Sequence, residues 1–133
     1  MKLKKETVAQ VVTEASTKMS DPNYSAVMVG GFVQRQVPAC NFISAHESEL
    51  GGAEAIVNVI FHCALVEQAF SRGAGRQPRP MSYEDLDAVA GGDSLAKLTQ
   101  VQPSVAEFIE SNIENPSARQ LIALMALAID QIA

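Results

Sequence analysis

Apolar residues recur along this chain with the spacing of helices. Val8, Val11, Val12, Ala15 and Met19 follow the i, i+3, i+4, i+7 rhythm of one buried stripe, and Lys5, Glu6, Gln10, Thr13 and Glu14 lie opposite. The pattern predicts a first helix over Lys4 to Lys18. Asp21-Pro22 is a cap followed by a proline suited to the first turn, and opens a second helix running to about Val37, where Pro38 closes it. Gly30-Gly31 interrupts this helix. Each mid-helix glycine costs about 1 kcal/mol relative to alanine, so the pair implies the close approach of another helix, or a kink.

Ala39 to His46 reads as a connection or a short extra turn. The longest predicted helix follows, about Ser48 to Ser71. Ile56, Val57, Val59, Ile60, Phe61 and the run Cys63 to Val66 cover most of its circumference. An arginine-, glycine- and proline-rich linker over residues 72–81 divides the chain into two helical halves. Ser82 and Asp93 cap two short helices, Pro103-Ser104 begins a third, and Asn115-Pro116 launches a terminal helix over about 116–132. From Leu121 to Ile132 that helix has almost no polar face. The expectation is an all-α, irregular bundle of six or seven helices in one domain, residues 1–133, with no repeat of the solenoid kind.

Composition sharpens this picture. Of the 133 residues, 47% are hydrophobic and only 5% aromatic, which suits close helix packing. The net charge of −5 opposes binding to a nucleic-acid backbone. The longest strongly apolar run, Ala53 to Val66, is shorter than the ~20 residues of a membrane span, and no secretory signal is expected because Glu6-Thr7 breaks the apolar start. Cys40 and Cys63 lack metal or redox spacing, which points to reduced thiols and a cytoplasmic location, although one bridge between them stays open.

Candidate chemistry concentrates on one stripe. Glu54, Asn58 and His62 stand at i, i+4 and i+8 and share a helix face. They could line an interhelical ligand pocket, or form the solvent edge of a helix otherwise buried. A di-metal bundle would need Glu-x-x-His pairs. Neither His46 nor His62 stands in such a pair, so no metal or other cofactor is expected. Arg72, Arg76 and Arg79 could converge on an anion, or simply solvate the linker. His46-Glu47-x-Glu49 could supply an acid and a base, or only a polar helix entry.

No catalytic set emerges. Two helices apolar nearly all round favour association, namely a homo-oligomer, most simply a dimer, serving as a regulator, adaptor or assembly factor, with a protein partner as a further option. The alternative is a ligand-binding domain or enzyme with a pocket near Glu54, Asn58 and His62.

Overall fold

A computed structural model describes residues 1–133, and it is all-helical, without strands. The order is α1 (Lys5–Lys18), α2 (Pro22–Arg35), α3 (Val37–Ser44), α4 (Glu47–Leu50), α5 (Ala53–Ala74), α6 (Tyr83–Val89), α7 (Ser94–Val101), α8 (Pro103–Asn112) and α9 (Pro116–Ile132). The count is thus nine, against the six or seven expected. Both additions lie between α2 and α5, in and beside the segment read as a connection.

Local chemistry explains the revised boundaries. Gln36 leaves the helical region with φ −121° and ψ 61°, which ends α2 at Arg35, and Pro38 then sits in the first turn of α3 instead of closing α2. The helix expected from Ser48 is cut at Gly51 and Gly52, whose φ values of 101° and 119° suit glycine alone. α5 therefore begins at Ala53. At its other end it runs three residues past Ser71, to Ala74, and ends on Gly75 in the left-handed conformation; Gly73 in this last turn leaves room for Leu3, whose Cδ2 would lie 2.3 Å from a Cβ there.

The two all-round apolar helices form the axis. α5 packs on α9, and around this pair the two halves of the chain repeat one plan. α1 and α2 pack on α5 as α6 and α7 pack on α9. α3 reaches across to α6, and α8 reaches back to α1. Residues Leu121 to Ile129 are buried without exception, each large aliphatic side chain contributing about 1.5–3 kcal/mol.

By length and apolar composition α5 could cross a membrane; here half of that stretch is buried inside the fold. The terminal helix is more fully enclosed, and of the large apolar side chains on these two helices only Val57 is exposed, so most of the surplus apolar surface expected of them is covered within one copy of the chain.

Candidate functional site

The stripe on α5 divides. Glu54 and Asn58 are exposed, and His62 is half-buried. His62 Nδ1 bonds the carbonyl of Asn58 at 2.8 Å, while its ring packs between Phe61 and Phe108 at 5.5 and 6.0 Å. Burial pushes its pKa below the ordinary imidazole value, opposed in part by the Asn58 carbonyl. Asn58 lines an open cleft of about 350 Å³ with Ala55, Asn112 and Asn115, and neither Glu54 nor His62 reaches that cleft.

The arginines are not brought together. Arg72, in the last turn of α5, pairs with Glu14 of α1. Arg79 grips Asp85 with two hydrogen bonds of 2.8 and 3.1 Å, which, with the Ser82 amide, hold that carboxyl well below the usual carboxylate range. Arg76 is exposed. No group of three or more His, Cys, Asp and Glu is placed to share a metal ion. Cys40 and Cys63 are both buried and free, and burial raises the Cys40 thiol to about 11 and Cys63 further.

Two buried polar nodes carry the fold's exceptional chemistry. Glu67 is only 3% exposed at its side chain; it accepts from Arg35 Nε at 3.2 Å and from Gln36 Nε2 at 2.9 Å. Gln36, fully buried, uses its Oε1 to accept the Met81 amide at 2.8 Å. Gln102 repeats the arrangement. Its Oε1 accepts the Leu3 amide at 2.8 Å and its Nε2 donates to Asp130 at 2.7 Å. Both glutamines sit just beyond a helix end, and both donate their own amides to a buried residue one turn back, Phe32 and Leu98.

These residues are absent from the candidates the sequence offers, although Glu67 is in phase with Ile60, Cys63 and Phe70, on the buried stripe of α5. A carboxylate in that phase demands partners. Every buried side-chain nitrogen and oxygen is hydrogen-bonded, so the nodes are structural, and any recognition surface lies outside them.

Two such surfaces stand out. The largest cleft, about 590 Å³, opens between α3, α4 and the first turns of α7 and α9, with His46, Glu49 and Asp93 on its walls. The other is the outward side of α2. That helix fully buries only Phe32; Ala26, Val27, Gly30 and Val33 face out, Val27 at 69% exposure, with Val37 just past the helix end. No charged residue lies between Asp21 and Arg35. A Cβ on Gly30 would meet nothing within 4 Å. No protein-family model, no curated protein and no solved structure matches the chain.

Proposed function

We propose that the protein acts by non-covalent association, as a homodimer whose copies pack along the outward face of α2, serving as a regulator, adaptor or assembly factor. Gly30 carries this reading. A glycine inside a helix is explained when something presses on it; nothing in its own chain presses on Gly30, yet it costs about 1 kcal/mol against alanine. The space above it is open, so a second helix can approach it backbone to backbone.

Two copies of α2 crossing antiparallel at Gly30 bring Val27 of one against Val33 of the other, a self-matching pair of the kind a two-fold interface requires. In a chain of net charge −5, an uncharged face also lets two copies meet without opposed carboxylates. Fourteen helical residues span about 21 Å, so one helix pair falls short of a standard ~1,600 Å² interface and belongs to the weaker, micromolar class. Free, buried Cys40 and Cys63 support a reducing, cytoplasmic setting.

Sedimentation equilibrium across the micromolar range tests the reading. The expected result is a reversible monomer–dimer equilibrium that Val27→Glu shifts to monomer with an unchanged circular dichroism spectrum. A strictly monomeric wild type, or a Val27→Glu variant that dimerises equally, overturns it.

A further inference from the structure

We infer that the cleft between α3, α7 and α9 binds a small molecule that combines an aromatic ring with a cationic amine. This goes beyond the proposed dimer and shares no residue with its face.

The two halves give the first argument. Equal steps along the chain lead from Glu67 to Phe61 and from Asp130 to Leu124, and from Gln36 to Phe42 and from Gln102 to Phe108. The correspondence is carried by hydrogen bonds too: His46 Nδ1 bonds the Phe42 carbonyl, and Asn112 Nδ2 the Phe108 carbonyl, each at 2.8 Å. In the first half's place, Phe61, His62 and Phe108 form a continuous ring cluster, completed by Tyr24 set edge-on to Phe61 at 6.2 Å. Tyr24 comes from the first turn of α2. α2 has 14 residues and α7 only 8, though each ends one residue before its glutamine. α7 therefore has no counterpart of Tyr24, and the second half's place, lined by Phe42 and Leu124, is the open cleft of about 590 Å³. That volume lies within the ~300–1,000 Å³ of small-molecule sites. The missing element is an aromatic ring.

Hydrogen-bond accounting gives the second argument. Two helix N-termini border the cleft, a usual anion site, but their amides are already committed. Ser94 and Leu95 donate to Gln120 Oε1, Ala96 to Asp93, and Ser117 and Ala118 to Asn115. Gln120 Nε2 donates to Asp93. The charged capacity left on the walls is all acceptor, the Glu49 carboxylate and the second oxygen of Asp93, joined by His46 Nε2, since Nδ1 faces a carbonyl and donates. The unspent donors are neutral, the Ser94 and Ser117 hydroxyls and the second N–H of Gln120, and no lysine or arginine lines the cleft. A ligand with donors and positive charge matches these walls, while Leu50, Leu121 and Leu124 receive its apolar body.

Methyl-resolved NMR titration with 2-phenylethylamine, against 3-phenylpropionate as a ring of opposite charge, tests the inference. The amine is expected to give saturable shifts at Leu121 and Leu124, and the carboxylate none. Glu49→Gln should weaken the amine about fivefold, the worth of one partly exposed ion pair. Ser117→Trp, at an exposed position on the cleft wall, should abolish binding while leaving the thermal melt unchanged. Shifts that do not saturate, equal response to the carboxylate, or indifference to Glu49→Gln overturn it.

Discussion

Gln36 and Gln102 clamp each other's half of the chain. Gln36 accepts the amide of Met81, on the extended approach to α6, and Gln102 accepts the amide of Leu3, on the extended approach to α1, both at 2.8 Å. Each side-chain amide then donates to an acid on an axial helix, Glu67 or Asp130. A glutamine side chain carries the acceptor and donor of a peptide group, so it substitutes for a strand neighbour where the fold has no strands.

Replacing Gln36 with leucine keeps the volume and removes both bonds, leaving the Met81 amide and one Glu67 oxygen unpartnered. The expected loss is about 2–4 kcal/mol. Gln102→Leu should cost less, about 1–2 kcal/mol, because Asp130, unlike Glu67, is only half-buried and can turn to water. Amide exchange separates the two: protection disappears at Met81 in the first variant and at Leu3 in the second. Unchanged exchange at these amides would remove the clamps from the account.

Arg35→Ala is expected to cost about 2 kcal/mol, since it leaves the buried Glu67 carboxylate with Gln36 alone. The loss is modest because 41% of the Arg35 side chain is exposed and its charge is screened. Arg35→Lys should recover little, because the fork that reaches Glu67 through Nε and Nη2 is lost. Urea melts of the three proteins decide this.

Stability should fall as pH drops through the imidazole range. The folded pKa of His62 lies below its unfolded value, near 6.5, so the unfolded chain takes up the proton first and is favoured between the two values. His62→Phe, which keeps a ring against Phe61 and Phe108, should flatten this part of the profile. Proton NMR of the wild type should place the His62 midpoint below that of an unfolded peptide.

Thiol reagents should not reach the native protein. Cys40 and Cys63 are 8% and 0% exposed, and with Cys40 raised to about 11 there is almost no thiolate at neutral pH. Two equivalents should react in denaturant and almost none without it.

The periodicity of apolar residues was enough to place α1, α9 and the buried length of α5, because those helices satisfy one amphipathic or all-apolar rule throughout. The boundaries near Gly51 and Gly73 differ from expectation for opposite reasons: the first glycine breaks a helix by its φ, whereas the second stays helical, leaves room for Leu3, and hands the break to Gly75. The same residue type signals both, and only the partner distinguishes them. Glu54, Asn58 and His62 did share a helix, but a common face does not say what stands opposite it. In the fold that face meets solvent at Glu54 and phenylalanine rings at His62. The likeness of the halves was hidden because its marks, Gln36 with Phe42 and Gln102 with Phe108, are few and follow helices of unequal length.

Association through α2 is tested most directly by cysteines beside its crossing point. Val27 and Val33 are exposed and both native thiols are buried, so a Val27→Cys/Val33→Cys variant carries the oxidant-accessible thiols of the region while leaving Gly30 free for the approach. An antiparallel crossing at Gly30 brings position 27 of one copy beside position 33 of the other, within the short Cα separation a disulfide needs. Under mild oxidation at micromolar concentration, this variant is predicted to convert rapidly to a covalent dimer, while Val57→Cys, exposed on α5, does not. Equal, slow cross-linking of the two variants would contradict the dimer.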